Sequence, residues 1–185
     1  MRYTFRQAES KADFASLRRL NHLIFAEELG QHSPHEDGLL IDRMEAHSRY
    51  WIALAGDEVV GMVSVHDDPP YSVEQRMSDP SVLEKLPGRK LEVRLLAVHP
   101  LHRGRLVVAG LLGPLIAWAF TEGYELLLIS GVVERAPMYR RLGFRELGPA
   151  VPDGAAAFFP MVLRLSDLPG SILISIARYQ RRGVR

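Results

Sequence analysis

A carboxylate set in an apolar strand is the most chemically suggestive feature of this chain. In LEVRLLAV (91–98), Glu92 lies early in an otherwise apolar run, and Arg94, two residues on, projects to the same face. A carboxylate buried there needs a partner or a water, and Arg94 can supply one. Two readings follow. Glu92 is a proton acceptor working directly or through water, with Arg94 beside the substrate, or the two form a structural ion pair. Just downstream, Arg103, Gly104 and Arg105 make a basic turn after Pro100. Its guanidinium groups either bind phosphate by charge and paired hydrogen bonds or are ordinary solvated arginines.

Other chemistries are poorly supplied. The chain has no cysteine, which removes disulfides, thiolate metal sites and a thiol nucleophile, and suits a reducing cytoplasm. Neither a Gly-x-Ser-x-Gly elbow nor a phosphate loop with lysine occurs, so direct transfer fits better than a covalent enzyme intermediate. His32 and His35, with Glu36 and Asp37, form only a loose hint of metal spacing and read as surface loop residues; no metal is expected. Lys and Arg number 23 against 22 Asp and Glu, so charge exerts no general pull toward nucleic acid or membranes. The N-terminal stretch lacks the apolar core of a signal peptide, and no run reaches the roughly 18 apolar residues of a membrane span. A cytoplasmic protein is expected.

The elements that must position these residues can be read from periodicity. With 185 residues the chain suits one domain, 1–165, followed by a basic, partly apolar tail, 166–185. Tyr3 to Gln7 alternates as a strand, and Asp13 to Leu29 has helical apolar spacing, stopped by Gly30. Gln31 to Gly38 begins a polar loop running toward Met44, one wall of an acceptor site. Tyr50 to Leu54 and Val59 to Val65 form a hairpin around Gly56, Asp57 and Glu58. Asp67 to Gly88 is irregular with one short helix, a candidate cover over a sheet edge. Leu91 to Val98, Val107 to Thr121 and Glu125 to Ile129 make a βαβ unit whose helix, apolar nearly all round, must be packed on the sheet. Pro114 falls inside that helix unless the helix starts later. Arg135 to Leu142 is a short helix ended by Gly143, and Ala155 to Leu165 a last strand. The tail combines SILISIA with Arg178, Arg181, Arg182 and Arg185, and reads as a docked helix, a dimer contact, a membrane-surface helix or a partly ordered end.

The order strand, Pro100, Arg-Gly-Arg turn, apolar helix, strand, then Tyr139 to Phe144 reading YRRLGF resembles the core of the GNAT acyltransferases. The resemblance implies an α/β (α+β) fold with one mixed, mainly antiparallel sheet of six or seven strands. Helices flank both faces, and the sheet splays at its two central parallel strands. It implies a pantetheine thioester, acetyl-CoA or another acyl-CoA, gripped by backbone at Leu96 and Val98, with phosphates at the turn and following helix start: Arg103, Gly104, Arg105, Val107 and Val108. Amides near Leu96 to Val98 would polarise the thioester carbonyl. Tyr139 stands where the family carries a general acid; the bland alternative is a packed tyrosine. The usual loop is approximately Arg-Gly-x-Gly-x-Gly/Ala, whereas Leu106 and Val108 fill the two later glycine slots here. A tight diphosphate cradle is therefore in question, and acyl carrier protein, which brings a single phosphodiester, stands beside acyl-CoA as donor. The asparagine usual shortly before the tyrosine is absent from SGVVERA.

More loosely, the N-terminal half resembles GNAT-fold synthases of acyl-homoserine lactones and N-acyl amino acids at Phe25, Asp42, Gly61 and Glu92. Those synthases carry arginine where this chain has Asn21 and Ser64, and their Glu-x-Ser-Arg becomes Glu92-Val93-Arg94-Leu95, which argues against a lactone-signal synthase. Residues 1–165 also look like GNAT-like domains found alone or fused to class V aminotransferases, which points to an amine or amino acid acceptor. The expected activity is N-acyl transfer to a small-molecule amine, possible as a homodimer. The alternatives are a GNAT-fold binding module that has lost catalysis and an interaction protein working through its tail.

Overall fold

The computed structural model describes residues 2–154, 156–170 and 173–174, with Arg105 described by its backbone only. Most of the tail, including its four arginines, lies outside the described residues. The chain divides into two compact units, one from the described parts of Met1–Val65 and Leu95–Ile116, the other from those of His66–Arg94 and Ala117–Ile174.

The first unit opens with β1 (Tyr3–Gln7) and α1 (Lys11–Asn21). The Ser10 hydroxyl caps α1 by accepting from the Asp13 amide, and the Asp13 carboxylate returns to the Ser10 amide, so two end donors are satisfied reciprocally. Asp13 also takes both guanidinium nitrogens of Arg6 at 2.8 Å, which ties the helix start to β1. The long helix expected to Leu29 changes character: α1 ends at Asn21 and the backbone continues as a π-helical stretch, His22–Glu28, before Gly30 takes a left-handed φ of +60°. The hairpin holds as β2 (Arg49–Ala55) and β3 (Glu58–His66), turning at Gly56 with φ +62°, a conformation that a side chain would strain. Leu17, Leu20, Ile24, Tyr50, Ile52 and Met62 are central to this unit's core.

A helix packed on the sheet is found, starting two residues earlier than the pattern suggested: α3 (Arg105–Thr121). Val107, Leu111, Leu115 and Ala119, spaced four apart, are all buried on one face. Two glycines make its packing possible. A Cβ on Gly61 of β3 would meet Val107 Cγ1 at 3.1 Å, and one on Gly110 would fall 2.2 Å from Phe5 Cζ. Pro114 does sit inside the helix.

The second unit carries the segment expected to cover the sheet. It holds a 3-10 turn (Ser72–Arg76) and α2 (Ser81–Lys85), whose Val73 and Leu83 pack with Leu126, Leu128 and Val162. It continues with β5 (Leu126–Val132), α4 (Ala136–Arg141), β6 (Arg145–Glu146), β7 (Val151–Asp153) and β8 (Ala156–Arg164). The strands form one eight-stranded sheet in the order β1-β2-β3-β4-β5-β8-β6, with β7 on β8 and β4 spanning Lys90–Val98. All registered pairs are antiparallel except β4 with β5, which are parallel. The parallel ladder has three pairs: Lys90↔Leu126, Leu91↔Leu127 and Glu92↔Leu128. β5 runs on to Val132 and β4 to Val98, yet Val93 and Arg94 have no registered partner on β5. Leu95 then adopts φ +51°, a left-handed kink within β4.

Candidate active site

Glu92 is the last β4 residue in the parallel ladder, and its side chain is fully buried, at 0% exposure. Its carboxylate is closed by four donors. Oε2 accepts from the Ser72 amide at 2.8 Å and pairs with His66 Nε2 at 2.6 Å; Oε1 accepts from the Ser72 hydroxyl and the Val73 amide, each at 2.7 Å. These four donors come from three residues distant in sequence, His66, Ser72 and Val73. A carboxylate offers about four lone-pair sites on its two oxygens, so four donors come close to filling them. Burial pushes the Glu92 pKa up, but hydrogen bonds from His66 and Ser72 outweigh it, and the net shift is downward. Glu92 is therefore an ionised carboxylate at neutral pH. The other ring nitrogen of His66, Nδ1, lies 3.2 Å from the Asp68 carbonyl, and its ring is 5.7 Å from that of Tyr71.

Neither His66 nor Ser72 was among the candidate site residues read from the sequence. His66 ends a strand that is otherwise buried and almost wholly apolar, and one buried polar residue on a strand calls for another nearby; that signal was available. Ser72 carried none, because it lies in an irregular stretch. It is nonetheless the one partly exposed residue among the three that close the carboxylate, and its hydroxyl donates to Glu92 Oε1.

Tyr139 lies on α4, and its ring packs over β5: a Cβ on Gly131 would come within 2.9 Å of Tyr139 Cδ2 and 2.9 Å of Met161 Sδ. Desolvation raises the Tyr139 pKa, a shift that Arg135 only partly offsets, so the phenol keeps its proton at neutral pH. Gly131 is three residues beyond Leu128 on β5, roughly 10 Å along a strand rising about 3.3 Å per residue. The ring of Tyr139 and the carboxylate of Glu92 are thus anchored at two points along β5, which beyond Leu128 is registered with β8 and has no registered β4 partner on its other side.

The residues expected to hold the donor belong to the first unit. Leu96 is half-buried and Val98 buried, and the Val98 carbonyl receives Arg103 Nε at 3.4 Å. Arg103 turns its Nη2 to both oxygens of the Glu28 carboxylate, an exposed ion pair. Around Gly104 there is open space. Val107 points into the core against Gly61, Val108 is half-buried, and Leu106, one of the two glycine-slot residues, is 50% exposed. The first intrahelical bond of α3 runs from the Val108 amide to the Gly104 carbonyl at 3.5 Å, so the amides of Leu106 and Val107 precede any i−4 acceptor in the helix. The Arg105 side chain lies outside the described residues.

The acetyltransferase (GNAT) family profile matches residues 14–144. The chain belongs to the GNAT family. Among curated proteins it is 28% identical over 111 residues to N-acetyltransferase 8F1 of Rattus norvegicus, covering 57% of this chain and 43% of that protein. It is likewise 28% identical over 109 residues to N-acetyltransferase family 8 member 2 of the same organism, at 57% and 42% coverage. The chain thus spans less than half the length of these curated relatives. Among solved structures, the CoA-dependent acyl-homoserine lactone synthase BjaI, with SAM and isopentyl-CoA, superposes with a TM-score of 0.77 at 17% identity, covering 96% of this chain and 90% of that one. FeeM, an N-acyl amino acid synthase from uncultured soil microbes, superposes at 0.70 with 17% identity, covering 90% and 92%. At these identities the structural likeness establishes the GNAT fold, as the sequence resemblance implied.

Proposed function

We propose that this GNAT chain is an N-acyltransferase that moves an acyl group from a pantetheine thioester to the amine of a small molecule by direct attack. The observation that carries this reading is the parallel ladder ending at Glu92↔Leu128, while β5 continues, paired with β8 but without a registered partner on its β4 side, toward the Gly131–Tyr139 contact. Unpaired strand backbone is what a pantetheine amide requires, and acid and base side chains sit at either end of that reach.

In the assigned mechanism the amine lone pair attacks the thioester carbonyl carbon. One nitrogen-bound proton passes to Ser72 Oγ as the Ser72 hydroxyl proton moves to Glu92 Oε1, a transfer prepared by their 2.7 Å hydrogen bond. The carbon–sulfur bond then breaks with its electron pair on sulfur, and the Tyr139 hydroxyl protonates the departing thiolate. The products are an amide and a free thiol. Bound donor supplies the activated acyl group; Leu96 and Val98 are assigned to its pantetheine arm, and Arg103, Gly104, Arg105, Val107 and Val108 to its phosphate end. Arg94 is assigned to the acceptor side of β4.

Acyl-CoA is the first donor. Acyl carrier protein remains a second reading because Arg103 is turned to Glu28 and Leu106 and Val108 stand where glycines would open a diphosphate cradle. A thiol-release assay with acetyl-CoA, longer acyl-CoAs and acylated carrier protein over an amine panel tests the proposal. Ser72→Ala and Tyr139→Phe are each expected to lower kcat by about 100-fold, the lower end of typical general acid–base contributions, with donor affinity retained. Donor binding with no thiol release from any amine would instead mark a binding module.

A further inference from the structure

Beneath α1, in the first unit, lies a small, partly open cavity of about 10 Å³, room for one water-sized group. Arg18, Asn21, Asp42, Glu45, Tyr50 and the kink residue Leu95 are among its lining. Asn21 is 4% exposed; its Nδ2 donates to the Leu40 carbonyl at 2.8 Å, which fixes the amide orientation, and its Oδ1 has no hydrogen-bond partner. A buried acceptor left this way is costly, so the position calls for a donor from outside the chain. The carboxylates of Asp42 and Glu45 both line the cavity, and Arg18 binds Glu45 through two hydrogen bonds. Tyr50 donates to Asp42 at 2.9 Å, orienting that carboxylate.

We propose that this cavity receives the ammonium head of the acceptor molecule, with Asn21 Oδ1 as its defining contact. This deepens the acyltransferase reading and rests on it. A nitrogen surrounded by amide and carboxylate oxygens is held protonated and has no lone pair to attack with. The group bound here is therefore an anchor, and the acceptor carries a second amine that reacts: a diamine or a basic amino acid. Outside, Arg18 and Glu45 also line a groove of about 620 Å³ that includes Phe14 and Lys11, space for the body of such a molecule.

The test is donor-free calorimetry with tetramethylenediamine, n-butylamine and n-butanol, followed by thiol release with the same compounds. Both amines are expected to bind saturably and the alcohol at least 10-fold more weakly. Asn21→Leu, which removes the acceptor, and Asn21→Arg, which places a cation of the chain's own in the cavity, should each weaken amine binding 10-fold or more. In turnover the diamine should be acylated and n-butylamine should compete with it. A cavity that holds only water gives no saturable heat with the amines; that result, or equal affinity in a folded Asn21 variant, overturns the inference and leaves the acyltransferase reading intact. Asn21-dependent binding with no thiol release keeps the anchor and removes the acyltransferase reading.

Discussion

Replacing Glu92 by glutamine tests the central network, because the four donors around its carboxylate allow the cost to be worked out in advance. If the new amide nitrogen takes the place of Oε2, His66 can turn an unprotonated Nε2 toward it and accept, but the Ser72 backbone N–H is left facing a donor. If it takes the place of Oε1, the Ser72 hydroxyl can rotate and accept, but the Val73 N–H is stranded. Either way one buried backbone donor is orphaned, at about 1–3 kcal/mol, and the remaining bonds lose their charge assistance, another 1 kcal/mol or so. A destabilisation of about 2–4 kcal/mol follows, lowering Tm by roughly 5–15 °C in a chain of this size. Glu92→Leu strands both backbone donors and should cost more, although replacing buried charge by an apolar group is often neutral. The difference lies in the Ser72 and Val73 amides, which no side-chain substitution can remove. Urea and thermal unfolding give the order wild type, then Glu92→Gln, then Glu92→Leu, and hydrogen exchange should show lost protection at the Ser72 and Val73 amides. An isostable Glu92→Gln, or a Glu92→Leu more stable than wild type, refutes the network as drawn.

A methyl group at Gly131 would stand 2.9 Å from both Tyr139 Cδ2 and Met161 Sδ, about half an ångström inside ordinary contact. Met161 can yield; displacement of the Tyr139 ring should lower kcat about 10-fold and stability by about 1–3 kcal/mol. Gly104→Ala, which meets open space, is the matched control and should leave Tm within about 2 °C. Stability should also fall in acid. Asp13 is held below its ordinary pKa by the Arg6 guanidinium and the amides of Glu9 and Ser10, and Glu92 is lowered by His66 and Ser72 despite its burial. The native state therefore binds fewer protons than the unfolded chain as pH drops through about 4, so the stabilisation present at neutral pH is lost from there downward. Asp13→Asn should flatten the Tm profile between about pH 4 and pH 2; an unchanged profile refutes the Arg6–Asp13 contribution.

How much of this was legible in the sequence depends on how far each determinant reaches along the chain. The β2–β3 hairpin and α3 were readable because their information is local: β-branched runs around Gly56, and apolar residues at Val107, Leu111 and Leu115 spaced for one buried face. The change from α to π winding at His22 was not, since one extra residue per turn leaves the same apolar types facing the core. β6 and β7 span two and three residues, too few to show a period. The donors around Glu92 were hidden for a related reason. Alternation makes Arg94 its nearest neighbour on the strand face, but the donors that close the carboxylate come from residues 26, 20 and 19 positions earlier, brought in by the end of β3 and a turn with no periodicity of its own. Sequence spacing could therefore identify the carboxylate and the strand that carries it. The identity of its donors was set by tertiary packing, and with it the choice between an open base and a sealed anion reached through Ser72.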